Sequence, residues 1–216
     1  MTVPGSGDVP KSSEEAFRRA ALFASGLLAL RESPRLRELL EALSHAANVP
    51  VAGICVLEGD HCWVPVVLGL DLERMPSSES LSAQVAQTQS PVVMADLRGH
   101  PELSNHPVVR GSVSILSFAA APLTGVQNVS FGALFIADHA PRPDFDVIAI
   151  PHLKRVADDI MREAGSPHHM RRAGRTTVEG LEALIRQATR DGDDELVTAI
   201  DRVMRDVLPL TGIRGI

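Results

Sequence analysis

The chain has 216 residues, a net charge of −6 and 44% hydrophobic residues, enough apolar mass for one core of ordinary size with helical additions. The negative charge argues against a nucleic-acid binder held by phosphate contacts. The absence of tyrosine beside the single Trp63 excludes an aromatic platform for stacking single strands. Two cysteines, no secretory-type start and no apolar run of about 18 residues predict a cytoplasmic protein without a membrane segment.

Residues 1–12 lack an apolar core and read as a disordered lead-in. Ser12 and Glu15 form a capping box ahead of a helix over Glu14–Leu30, within an N-terminal flanking segment of residues 13–32. Its apolar residues cover much more than one stripe, so it needs two burial partners. Ser33-Pro34 starts a second helix, serine as cap and proline at the first position, and Leu36, Leu39, Leu40, Leu43 and Ala47 give it one apolar face. Asn48 and Pro50 end it. Val51–Val56 and Trp63–Leu68 read as a hairpin around Glu58-Gly59-Asp60-His61. With Gly59 and Asp60 as the loop, Leu57 pairs with Cys62 and Cys55 with Val64. The cysteines then share a face diagonally, a poor geometry for a disulfide, and read as small core or edge residues.

Asp71–Glu79 reads as a polar loop, Leu81–Thr88 as a short helix, Pro91–Met94 as a short strand and Asp96–Arg110 as a long irregular loop. Two apolar runs follow, Ile115–Leu123 and Val129–Ala137, joined by a turn with Gly125, Gln127 and Asn128. They predict paired antiparallel strands at the centre of a sheet, stopped by Asp138 and Pro141-Arg142-Pro143. A helix over Phe145–Glu163, a polar linker Ser166–Arg175 and a helical hairpin close the chain. The hairpin's helices are Thr177–Arg190 and Asp193–Leu208, hinged at Asp191-Gly192 within residues 166–216.

This order of elements resembles a bacterial GAF domain over residues 33–163. The residues that carry the resemblance are LLEALSHAANVPVAGICV (Leu39–Val56), PVVMADLRGHPELSNHPVV (Pro91–Val109) and FAAAPLTGVQNVSFGALFIADHAPRP (Phe118–Pro143). The resemblance implies an α+β fold: a GAF-like antiparallel sheet with helices on one side and a ligand pocket on the other, here with a C-terminal helical hairpin added. It implies a small-molecule sensor or regulatory protein of signal transduction that is not itself an enzyme. It further implies a homodimer through the flanking helices and a signalling partner protein. The ligand and any cofactor stay open. No cysteine follows Cys62, which argues against a covalent bilin, and no Asn-Lys pair of the cyclic-nucleotide-binding relatives occurs.

Trp63 and Phe118 are candidates to line the pocket, and Ser82, near its expected mouth, to hydrogen-bond a ligand; core packing and helix capping are the plainer alternatives. Asp96, His100 and His106 share the long loop. Two histidines and a carboxylate can bind a metal, but the spacing matches no metal motif. We therefore expect no metal site there, and ligand contacts or satisfaction of the loop's own backbone instead. No Gly-x-Ser-x-Gly elbow and no Gly-Lys pair exist, so we expect neither a serine nucleophile of that type nor a phosphate-binding loop. Two rival readings are a small redox enzyme of the same fold using Cys55 or Cys62, and a nucleic-acid regulator acting through the C-terminal helices.

Overall fold

The computed structural model describes residues 18, 21–22, 25–111, 113–125, 128–166, 169, 182, 185–186, 188–190, 192 and 194–206. Six antiparallel strands form one sheet: β1 Val51–Glu58, β2 His61–Leu68, β3 Arg74–Pro76, β4 Val92–Met94, β5 Ser117–Thr124 and β6 Ser130–Asp138. Their spatial order is β3-β2-β1-β6-β5-β4. The two apolar runs become β5 and β6, paired from Ser117 opposite Asp138 to Thr124 opposite Ser130. Strand β6 also pairs with β1 from Val51 opposite Ala137 to Val56 opposite Gly132. Packed elements cover both faces of the sheet at β6, which is why it is apolar almost throughout.

The helices are α1 Pro34–Ala47, α2 Leu81–Thr88, α3 Pro107–Arg110, α4 Phe145–Ala164 and α5 Asp194–Asp206. Alternation along the strands divides the core in two. Ala52, Ile54 and Val56 of β1, with Leu134 and Ile136 of β6, face the helices α1 and α4, burying Leu36, Leu40, Leu43, Leu153 and Ile160. Cys55 and Leu57, with Ala133, Phe135 and Ala137, face the other way, onto α2 and the segment between β4 and β5. The fold is α+β, with its two long packed helices on one face of the sheet; the short α2 lies on the opposite face.

Several local expectations need correcting. The first helix does not continue to Leu30. Arg18, Ala21 and Leu22 are helical, but Gly26 takes a left-handed φ of 75° and Leu27–Glu32 is a 3₁₀ turn. Ser25 fastens the break, donating from its hydroxyl to the Leu22 carbonyl at 2.7 Å and accepting from Leu27 N–H at 3.1 Å. The loop Asp71–Glu79 holds the edge strand β3, Cys62 opposite Met75, and a 3₁₀ turn Ser77–Glu79. The long loop Asp96–Arg110 is folded into a 3₁₀ turn, Leu97–Gly99, and the helix α3. His169, read as part of a solvated linker, is buried, its Nε2 3.0 Å from Glu163 Oε1. Of the C-terminal hairpin, residues 182, 185–186 and 188–190 are helical, Gly192 lies in a turn and α5 is a helix; its other residues, like the lead-in 1–12 and the start of the first helix, lie outside the described residues.

Candidate functional site

A cavity of about 320 Å³ lies between the sheet and α2, on the face away from α1 and α4, within the volume range of small-molecule sites. Its floor is Cys55, Phe118, Phe135 and Ala137. Phe118 lies opposite Ala137 and Ala120 opposite Phe135, so the two phenylalanines are diagonal neighbours across β5 and β6. Their rings stack with centroids 6.1 Å apart and 22° between planes. Gly53, paired with Phe135, leaves the room for that ring: a Cβ there would come 2.9 Å from its tip. One wall is the N-terminal end of α2, with Ser80 and Ser82 both buried. Ser80 is the cap, its hydroxyl accepting from Ala83 N–H at 3.3 Å. The opposite wall comes from Pro107, Val108 and Val113, and the exposed Arg74 and Glu79 stand at the rim. An apolar chamber with a few hydroxyls inside and opposed charges at its mouth suits a small, mainly apolar molecule carrying one or two polar groups.

The six residues singled out from sequence are divided by the fold. Ser82 and Phe118 line the cavity. Trp63 lies opposite Val56 in the β1–β2 ladder, so it projects to the face of α1 and α4, where Arg31 covers its ring at 5.3 Å. Asp96 accepts from the Arg98 backbone N–H at 3.0 Å and pairs with its guanidinium at 2.8 Å, capping the 3₁₀ turn. His106 caps α3, its Nδ1 accepting from Val108 N–H at 3.2 Å. His100 is exposed at the end of the turn that Asp96 starts. The Asp96 and His106 side chains therefore serve their own loop backbone, and among the described residues no group of three His, Cys, Asp or Glu side chains is arranged to hold a metal.

The sequence offered Cys55 as a thiol of the rival redox reading, but as a core or edge residue of the hairpin; the structure places it on the cavity floor. A two-residue loop at Gly59-Asp60 sets Leu57 opposite Cys62 as expected, but the ladder shifts between Ile54 and Val56. The bulge sets both Val64 and Pro65 of β2 against Cys55, so Cys55 does not simply oppose Val64. Cys55 and Cys62 are both buried and both belong to the cavity-side core. Cys55 Sγ lies 3.8 Å from Ser80 Oγ, and the two thiols are near enough to shift each other's ionisation. The Cys55 thiol, the Ser80 hydroxyl and the nearby Arg18 guanidinium hold the Cys62 thiol down to about 7, against the opposing effect of burial. Cys62 and the burial push Cys55 well up. Ionisation of the pair therefore falls on Cys62 rather than on Cys55.

With the geometry in place, comparison with known proteins identifies the fold. No family model matches the chain. Among solved structures, the GAF domain of an Acinetobacter phosphoenolpyruvate-protein phosphotransferase superposes with a TM-score of 0.50, at 17% identity, over 74% of this chain and 97% of that one. This is a GAF fold. The type II free methionine-R-sulfoxide reductase of Thermoplasma acidophilum superposes with a TM-score of 0.51 at 15% identity, over 64% of this chain and 94% of that one. The free methionine-R-sulfoxide reductase of Neisseria meningitidis, solved with its substrate, also gives 0.51, at 17% identity over 80% and 99%. In sequence, a cyclic di-GMP phosphodiesterase of Pseudomonas aeruginosa is 27% identical over 150 residues, 68% of this chain and 26% of the relative. The chain thus spans about a quarter of that relative's length. The expectation that the protein is not an enzyme is overturned by these findings: reductases share this GAF fold, and the curated relative is named as a phosphodiesterase.

Proposed function

We propose that this GAF domain binds a small, mainly apolar molecule in the cavity between the sheet and α2 and acts in signal transduction, changing the output of an enzyme or partner protein when the cavity fills. The observation that carries the reading is the cavity itself: a preformed apolar chamber with buried hydroxyls at its wall. The phosphodiesterase relative supports the signalling context, its matched segment being a quarter of that enzyme. We place the protein in the cytoplasm, as a homodimer joined by its flanking helices. A ligand that binds one arrangement of those helices more tightly shifts the population toward it. The described residues contain no helix long and apolar enough to cross a membrane.

The test is a thermal-shift screen of small amphipathic metabolites against the wild type and Ala137→Leu. Leucine at 137 fills the floor of the cavity. A compound that raises the Tm of the wild type and leaves the variant unmoved supports the reading; compounds acting equally on both sink it.

A second reading, catalysis on the bound molecule, is favoured by Cys55 at the cavity wall, with Cys62 in the same core cluster. A turnover of sulfoxide or peroxide substrates that Cys62→Ser abolishes supports it. Turnover that survives that change removes the thiols from the chemistry.

A further inference from the structure

We propose that the occupant of the cavity is a small aromatic monocarboxylate, its ring laid against Phe118 and Phe135 and its carboxylate held at the N-terminal turn of α2. The inference deepens the ligand-binding reading above and rests on it.

The aromatic half of the ligand follows from the cavity floor. Phe118 and Phe135 both line the cavity, their rings nearly parallel at 22° with centroids 6.1 Å apart. A third ring adds to such a pair in an offset or edge-on arrangement and gains more than its buried area alone would give. Met75 lines the same cavity, and a thioether packs well at the edge of a ring. Size sets the limit. A dry cavity of about 150 Å³ takes up benzene, so the cavity of about 320 Å³ accommodates one substituted ring and not a nucleotide.

The carboxylate half follows from the wall. Helix α2 begins at Leu81, and its first N–H groups have no acceptor within the helix. Ser80 serves one of them, accepting from Ala83 N–H. The N–H groups of Leu81 and Ser82 are left without a helical acceptor, and both residues belong to the cavity wall. Ser82 is only 5% exposed. Its hydroxyl makes no hydrogen bond at ordinary distance among the described residues; its polar neighbour is the Cys55 thiol, a weak acceptor. A buried hydroxyl beside such N–H groups, at the positive end of a helix, is a set of donors in need of an acceptor. A carboxylate supplies the oxygens and also the charge that this end of a helix favours. At the rim, Arg74 is in no direct ion pair among the described residues and adds positive potential to the approach. The exposed Glu79 at the same rim repels anions that stay at the mouth, which favours one carboxylate held inside over a polyanion.

The full-length protein is titrated by calorimetry with benzoate and, in parallel, with two analogues. Benzylamine reverses the charge; cyclohexanecarboxylate keeps the carboxylate and loses the aromatic face. The expected result is saturable binding of benzoate, with both analogues weaker by about tenfold or more. Ser82→Ala leaves the Ser80 cap in place and, checked for native secondary structure, should weaken benzoate by about tenfold, the usual weight of a hydrogen bond to a charged group. Either analogue binding as tightly as benzoate overturns the proposal, as does a benzoate affinity unchanged in Ser82→Ala. If benzoate does not bind while a compound of the metabolite screen binds the wild type and not Ala137→Leu, the ligand class is wrong and the ligand-binding reading stands. If nothing binds in either test, both fall.

Discussion

At the scale of single residues, the cavity owes its chemistry to the way burial and hydrogen bonding divide two like groups. Cys55 and Cys62 start with the same thiol, and their proximity sends one up and the other down. The sign is testable. A thiol held down to about 7 is protonated below that pH and ionised above it, so thiolate ultraviolet absorbance should rise by one thiolate per chain in a step centred near pH 7. Cys55→Ala removes the neighbour with the largest stabilising effect and should move the step upward, toward an ordinary thiol. A step unmoved by that change would mean that the Arg18 charge and Ser80 suffice. None of this was legible from spacing. The loop Gly59-Asp60 sets the facing of Cys62 correctly, but strict alternation has no place for the extra residue of a bulge. Trp63 was, by contrast, readable: once Cys62 shares a face with Leu57, its neighbour must point to the other side. Aromatic character alone made it a pocket candidate, and the parity of the strand decides otherwise.

Among elements, two contacts hold the site's frame. Gly132 of β6 lies against β1 so closely that an added Cβ would sit 1.9 Å from the Cys55 carbonyl oxygen. Because backbone and not a flexible side chain blocks it, Gly132→Ala should cost about 1–3 kcal/mol or more. It should also disturb Cys55, a combination that chemical denaturation and the thiolate titration would read together. Wild-type stability in the variant would contradict the close strand contact. The second contact is Arg142, in the loop after β6. Its guanidinium donates to the Asn48 carbonyl at 2.7 Å and the Ala47 carbonyl at 3.0 Å, at the C-terminal end of α1, while Asp138 and Asp144 pair with it at 3.0 and 2.8 Å. A cation there satisfies carbonyls that the helix itself leaves open. We expect Arg142→Ala to lower stability by about 2 kcal/mol in urea unfolding, with Arg142→Lys recovering only part because an ammonium cannot serve two carbonyls and two carboxylates in one plane. The strands β5 and β6, α1 and α2 were legible because each has a clear period and a clear stop: Pro34 and Asn48 for α1, Ser80 and Gln89 for α2. The edge strand β3 was not, since only Met75 of its three residues is even half-buried, and its pairing depends on β2 being alongside.

For the whole molecule, the sheet separates two tasks. One face carries α1 and α4 and supplies the large core; the other is left concave, where α2 and the segment around α3 close over the cavity. The order of elements was enough to place the GAF fold before any coordinates, because that order is long and specific while each of its residues is ordinary. The position of the pocket wall was not readable, because it depends on residues from α2, β3 and the α3 segment that meet only in three dimensions. Dimerisation through the flanking helices is a separate expectation: multi-angle light scattering of the full chain should give twice the monomer mass, and a monomer at all working concentrations would remove those helices from signalling.

The central claim is that the cavity holds a small molecule. Native mass spectrometry of gently purified protein, followed by denaturing mass spectrometry of the same sample, tests it most directly. We predict a mass excess in the native spectrum that disappears on denaturation and that Ala137→Leu does not retain. A native mass equal to that of the bare chain, in both proteins and after incubation with cell extract, would contradict a ligand-binding role for this cavity.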